Sequence, residues 1–258
     1  MYLSFHNEYH LGDCIFTIIY INKLCRYDRS INIKFYCNKE YHNQLHELIE
    51  YTERVSLLQF EKKGESTWIN RENLYHGDKI FKGKYAQYYY YDNIYIDFYN
   101  YLSNKNKIDL KFVSNREILF DSFEENEDLY SYKFDYDILI VNSSPKSDQF
   151  TFCEKELAII IKEIARRFKV ITTKKINGIP CTTDSQYSIL EIGKLSCYIR
   201  NFICIHTAPH ILTINNINID IIENWYCLHN RHSINFDFVK HSRDLTQLRK
   251  ILEKDFLS

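Results

Sequence analysis

The chain has 258 residues, 33 of them basic and 34 acidic, and its formal net charge of −1 gives no electrostatic reason to expect nucleic acid or an anionic membrane as the main partner. That length accommodates one large domain or two of about 100 to 150 residues, each able to bury a core. No stretch approaches the roughly 20 apolar residues of a membrane span, and the opening "MYLSFHNEYH" lacks the basic and unbroken apolar regions of a signal peptide, so a cytoplasmic protein without a membrane span, acting on small molecules, is expected.

In chain order, "YLSF" reads as a short strand, residues 13–26 as a helix, "INIKFYC" as a strand, residues 39–53 as a helix and "VSLLQF" as a strand. Such alternation predicts a parallel sheet with crossover helices. A polar stretch and the tyrosine-rich "YAQYYYYDNIYIDFYNYL" follow, in which Tyr88, Tyr91, Tyr95, Phe98 and Leu102 recur at helical spacing. Their aromatic face serves either packing or a sugar-stacking platform. Residues 113–135 are charged, and the shift in composition marks them as a connecting region between domains at 1–112 and 136–258.

Alternation then resumes: "DILIVNS" is a buried strand, "CEKELAIIIKEIARRF" an amphipathic helix, "KVITT" a strand, "SQYSILEIGKLSCYI" a helix, "NFICI" a strand, "PHILTIN" a short helix, "INIDII" a strand and "RDLTQLRKILEKDF" a final helix. The fold class expected from this order is α/β, with two Rossmann-like domains facing across a cleft. The eight cysteines sit mostly in apolar segments and form no CxxC pair, as reduced core residues would. Abundant Ile, Asn, Lys and Tyr point to an AT-rich coding sequence, such as that of a large virus or a parasite.

Ligands of open α/β sheets bind beyond the carboxyl ends of the strands, so the residues after each strand carry the functional reading. In "HNEYHLGD", Gly12 allows a tight turn, and Asp13 either caps the helix or projects into the cleft. In "NSSPKSDQFTFCE", Thr151 and Glu154 have capping-box spacing, which starts the helix near Phe152. Ser143, Ser144, Lys146 and Gln149 then lie in a loop that is either a solvated turn or a diphosphate site. In "CIHTAPHI", Thr207 is suited to an N-cap and Pro209 to a first helical turn, leaving N–H groups near Ala208 and His210 for an anion.

Other motifs fail on spacing. "GDKIFKGK" has five residues between its glycines where a P-loop has four, no GxGxxG occurs, and His42 with His46 lacks the HExxH pattern. "CLHNRH", with Cys227, His229 and His232, lacks a fourth ligand at a familiar spacing. The Asp135–Asp137 pair precedes its strand and so falls at the wrong end for a carboxyl-edge metal.

"YHLGDCIFTIIYINKL" resembles the opening Gly-Asp segment of the ADP-heptose:lipopolysaccharide heptosyltransferase family, glycosyltransferases of GT-B architecture. "ILIVNSSPKSDQFTFCEKELAIIIKEIARRFKVITT" resembles the first strand, loop and helix of that family's donor domain, with Lys146 at the loop lysine, and "SILEIGKLSCYIRNFICIHTAPHILTI" resembles its closing pattern. The resemblance implies transfer of a sugar from a nucleotide-diphosphate donor to a glycan or other hydroxyl acceptor, with inversion and with no metal or further cofactor. The donor would lie against Ser143, Ser144, Lys146, Gln149, His206, Thr207, Ala208 and His210. The acceptor would lie near His10 and Gly12, with Asp13 as general base. The chain departs from the family where His206 replaces an acidic residue and Ala208 a glycine, which keeps two alternatives open: a non-catalytic sugar-nucleotide or glycan-binding protein with a degenerate GT-B fold, and a sugar-nucleotide epimerase.

Overall fold

The chain folds as α/β, and among the described residues the strand pairing in both sheets is parallel, as the alternation predicts. The computed structural model describes residues 2–7, 10–27, 29–59, 74–76, 120–133, 135–145, 150–228 and 238–257. Two units separate at Met1–Leu119 and Phe120–Ser258.

In the first unit, β1 (Tyr2–Asn7), β2 (Asn32–Cys37), β3 (Val55–Gln59) and β4 (Leu74–His76) form a sheet of order β3-β2-β1-β4. Between β1 and β2 runs α1 (Leu11–Tyr27), which buries Cys14, Ile15, Ile18, Ile19, Ile21, Leu24 and Cys25. That pattern extends back to Leu11, three and four residues before Cys14 and Ile15, so the helix starts earlier than the aspartate suggests. The helix expected over residues 39–53 is shorter: a 3₁₀ turn Lys39–Tyr41 leads into α2 (His42–His46). The reason lies on α1, where buried Asn22 donates to the Leu48 carbonyl at 2.7 Å and accepts from the Glu50 N–H at 3.2 Å. A side chain from another element thereby takes the backbone groups that a longer helix would have paired. The tyrosine-rich segment lies outside the described residues.

The second unit begins inside the stretch whose charge suggested a connection. Phe120, Phe123 and Leu129 are buried, Asn126 caps α3 (Glu127–Tyr130) by accepting from Leu129 N–H, and Asn216 bonds Phe123 at both its N–H and its carbonyl. A few apolar anchors, spaced among acidic residues, hold the segment down.

Five strands follow: β5 (Ile138–Val141), β6 (Val170–Thr172), β7 (Asn201–Ile205), β8 (Asn224–Leu228) and β9 (Val239–Ser242), in the order β6-β5-β7-β8-β9. Both faces of β5 are buried, which explains its unbroken apolar run. On one face Ile138, Ile140, Ile203, Ile205, Tyr226 and Leu228 meet Leu157, Ile160, Ile161 and Ile164 of α4 (Glu154–Ile164). α7 (Leu245–Leu252) adds Leu245, Leu248 and Leu252 to that core. Between them in sequence lie α5 (Ile189–Ser196), opened by a Ser188–Glu191 capping box, and the single turn α6 (Ala208–Ile211). α4 is capped at Cys153 and not at Thr151, because the Glu154 carboxylate is engaged elsewhere.

The strand expected at "INIDII" is absent, and that segment is a series of turns. Asn215 and Asn218 decide it: Asn218 Oδ1 accepts from Asn215 N–H at 3.0 Å, and Asn215 Oδ1 accepts from the N–H groups of Ile217 and Asn218 at 3.1 Å. Local amide–backbone bonds of this kind compete with a sheet ladder and win over the β-branched isoleucines. The strand forms instead at Asn224–Leu228.

All eight cysteines are free thiols, seven of them buried and Cys153 exposed. Burial pushes the Cys37 and Cys227 thiols up to about 12, so these act as small core residues. Among the described residues, no helix is long and apolar enough to cross a membrane.

Candidate functional site at the carboxyl edges of the sheets

Strand order identifies one crevice in each sheet. In the first unit the chain runs outward from β1 to β2 to β3 and then returns to place β4 on the other side of β1. In the second it runs from β5 to β6 and then places β7 on the opposite side of β5. The loops leaving the two strands at such a reversal diverge and open a crevice beyond their carboxyl ends. In the first unit the chain beyond β1 leads to Gly12 and Asp13 at the start of α1. In the second unit the loops after β5 and β7 enter the crevice, carrying Ser143, Ser144 and His206 to Ala208.

Gly12 and Asp13 are the second and third residues of α1, and the exposed His10 supplies the carbonyl for the first helical bond, accepting from Cys14 N–H at 3.2 Å. Asp13 therefore sits within the first turn of the helix and not at its cap, and Gly12 is helical instead of forming a turn. The Asp13 side chain, Lys146 and Gln149 lie outside the described residues.

At the second crevice, Ser143 is half-buried with its hydroxyl 3.4 Å from Thr173 Oγ1, and Ser144 is exposed with its hydroxyl bonded to Glu154. Thr207 has the extended conformation of an N-cap, but its hydroxyl bonds the Ile205 carbonyl at 3.3 Å instead of capping. The N–H of His210 is not available to a ligand, since it donates to the Thr207 carbonyl at 3.1 Å. His210 is buried, its ring 4.3 Å from that of His206 and 5.7 Å from that of Trp225, with Nδ1 against the Thr207 carbonyl. It supports the loop from beneath. α6 is four residues long, too short to offer much dipole to an anion. His206, Thr207 and Ala208 remain at the edge, half-buried.

Three residues at this crevice escape a reading of local motifs. Asn142, 5 % exposed, donates to the Lys174 carbonyl at 2.9 Å and accepts from the Lys174 N–H at 2.7 Å. Its own N–H donates to Thr173 Oγ1 at 3.2 Å. The Lys174 ammonium reaches both oxygens of Glu154, at 2.6 and 2.7 Å. Hydrogen bonds from Lys174 and then from Ser144 hold the Glu154 carboxyl below its ordinary value. Thr173 closes "KVITT" and Lys174 directly follows it, both just beyond β6, so asking what stands at the end of that strand would have found them.

Among the described residues, no three His, Cys, Asp or Glu side chains converge as a metal site. Cys227 is buried in β8, while His229 and His232 lie outside the described residues. A cavity of about 550 Å³ opens at the opposite, amino-terminal edge of the second sheet, where Asp137 and Arg200 precede β5 and β7 and Lys133, Tyr136 and Tyr198 are among the other lining residues. It is remote in topology from the carboxyl-edge loops.

No protein-family model matches the chain, and no curated protein matches it. Solved structures do. The glycosyl transferase family 9 protein from Veillonella parvula DSM 2008 is 13 % identical with a TM-score of 0.55, the match covering 99 % of this chain and 91 % of that one. E. coli heptosyltransferase WaaC with ADP-2-deoxy-2-fluoro heptose is 7 % identical with a TM-score of 0.57, covering 100 % and 99 %. E. coli ADP-heptose LPS heptosyltransferase II is 8 % identical with a TM-score of 0.51, covering 99 % and 98 %. The fold of this chain is thus similar, along its whole length, to structures of the heptosyltransferases that the Gly-Asp segment and the donor-loop segment resemble.

Proposed function

We propose that the chain is a glycosyltransferase of GT-B architecture, which moves a sugar from a nucleotide-diphosphate donor to an acceptor hydroxyl. The observation that carries this reading is the full-length likeness to E. coli WaaC, covering 100 % of this chain and 99 % of that one, with the described candidate residues of each half on the segments that follow a strand at a strand-order reversal. Fold likeness alone is compatible with several chemistries.

In the proposed reaction the Asp13 carboxylate accepts the proton of the acceptor hydroxyl as its oxygen bonds to the anomeric carbon from the face opposite the leaving group. The bond from that carbon to the diphosphate oxygen breaks, its electron pair leaves with the nucleoside diphosphate, and configuration inverts. Ser143, Ser144, Lys146, Gln149 and the backbone around Thr207 and Ala208 receive the diphosphate, so that developing charge is stabilised by protein donors without a required metal. His206 faces the sugar or base from the end of β7, and His210 holds the loop beneath it. His10 and Gly12 border the acceptor.

The test is a screen of ADP-, GDP- and UDP-sugars by thermal shift with chelator present, followed by transfer assays with the sugar that binds. A bound ligand at about 100 times its dissociation constant adds roughly 2.7 kcal/mol, a shift of several degrees. Asp13→Asn should lower turnover by roughly a hundredfold or more while donor affinity stays unchanged. Turnover that survives this substitution would remove Asp13 from the reaction. A second reading, a sugar-nucleotide or glycan-binding protein without turnover, is favoured by His206 and Ala208 standing where the family carries an acidic residue and a glycine. Donor binding with neither transfer nor epimerisation would establish it.

A further inference from the structure

Lys174 combines two properties that an ordinary surface lysine lacks. Its backbone is fixed at both polar atoms by Asn142, a buried side chain at the exit of β5, through bonds of 2.7 and 2.9 Å. Its ammonium nonetheless stays in solvent, with 48 % of the side chain exposed. An exposed lysine–glutamate pair contributes little and needs no such anchoring. The anchor sets the point where the ammonium emerges, one strand over from the reversal between β5 and β7.

Glu154 shows what that point is suited to hold. Its carboxylate accepts from the Lys174 ammonium at 2.6 and 2.7 Å and also from the Ser144 hydroxyl. An acceptor-only, negatively charged group is thus bound by a cation and a hydroxyl from two neighbouring strand-exit loops. Phosphate oxygens satisfy the same two donors and carry more charge. Glu154 itself is half exposed, in the first turn of α4, and can turn outward to water.

We propose that Lys174 is a diphosphate-binding cation of the carboxyl-edge site, positioned by Asn142, and that Glu154 occupies its place until the diphosphate arrives. The inference rests on the nucleotide-diphosphate reading above and extends it to residues which that reading does not use. Binding exchanges one acceptor for another on Lys174 and Ser144, and the freed carboxylate, left beside an anion, opposes it. Removing the lysine and removing the carboxylate charge should therefore change affinity in opposite directions.

The experiment is calorimetric titration of the full chain with inorganic pyrophosphate, ADP, GDP and UDP in chelator-treated buffer. Lys174→Met should weaken pyrophosphate and the best nucleoside diphosphate by roughly tenfold. Glu154→Gln should tighten both by about threefold to tenfold, an outcome that a misfolded variant does not produce. Lys175→Met removes the same charge one residue on, from an exposed pair with Asp184 at 2.9 Å, and should leave affinity within about twofold.

Unchanged affinity in Lys174→Met, with the wild type binding normally, overturns the inference and leaves the nucleotide reading standing. Weaker binding in Glu154→Gln overturns the place-holding role. If neither the wild type nor Glu154→Gln binds any of the four probes, both readings fall.

Discussion

A single buried amide organises the second crevice. Asn142 ties the exit of β5 to that of β6 through Thr173 and Lys174, and its Oδ1 and Nδ2 are both spent on the Lys174 backbone. Asn142→Ala leaves that N–H and carbonyl without their partner, so a loss of about 2 kcal/mol is expected in urea unfolding at neutral pH. Local pattern does not disclose this role, since the partners lie 31 and 32 residues away and Asn142 reads as one more polar loop residue. Asp255 shows the same dependence on distant partners. It accepts from the Tyr226 hydroxyl at 2.6 Å and from the Lys240 ammonium at 2.8 Å. Burial alone would raise its carboxyl, but those hydrogen bonds outweigh burial and hold it below the ordinary carboxylate value. A carboxyl depressed in the folded state stabilises at pH values above its unfolded value, near 3.9, and that contribution disappears as pH falls through the folded value. Asp255→Asn should therefore cost roughly 1.5 kcal/mol at pH 7, with the difference from wild type closing below about pH 4. Urea melts at pH 7, 5 and 3.5 check it, and a difference that stays constant across them would show that the charge is irrelevant.

Elements built on strong periodicity were legible. "DILIV" is β5, the Leu157, Ile160, Ile161 and Ile164 stripe is α4, and Pro209 stands in the first turn of α6 as expected. Three kinds of element were not. β4 and β9 are short edge strands in polar sequence, "LYH" and "VKHS", with no alternation to announce them. The asparagine turns at 215–218 displaced a strand that β-branched residues favoured, and Asn22 cut short a helix from across an interface. In the last two cases a side-chain amide, local at 215–218 and distant at Asn22, took the backbone's hydrogen bonds. The stretch assigned to a connection is held by contacts with equal reach, and one of them is open to test. A methyl group added at Gly193 of α5 would lie 2.7 Å from Phe123 Cζ and 3.1 Å from Leu212 Cβ. Gly193→Ala gains helix propensity of about 1 kcal/mol but meets that clash, which costs typically 1–3 kcal/mol. A net fall in Tm is expected, with most of it recovered in Gly193→Ala/Phe123→Leu. A rise in Tm for the single variant would mean that Phe123 is not seated on α5.

At the scale of the whole chain, each sheet has its own reversal of strand order and each unit its own buried residues. In the second unit, the apolar stripes of α4 and α7 close one face of the sheet, and the opening segment from Phe120 is bonded to the turns at 215–216. None of those contacts draws on a residue before 120. The second unit should therefore fold when expressed alone as Phe120–Ser258, with one cooperative transition and a calorimetric enthalpy of about 100 kcal/mol near 60 °C for some 140 residues. The proposed diphosphate contacts at Ser144 and Lys174 also belong to this unit, so the fragment should bind pyrophosphate within about threefold of the full chain, while the proposed sugar transfer, with Asp13 as its base, should be lost. A fragment that melts without cooperativity would place part of this unit's stabilising contacts in residues before 120. One that folds but binds no pyrophosphate, where the full chain does, would move the diphosphate contacts to the first unit and reverse the assignment of donor and acceptor halves.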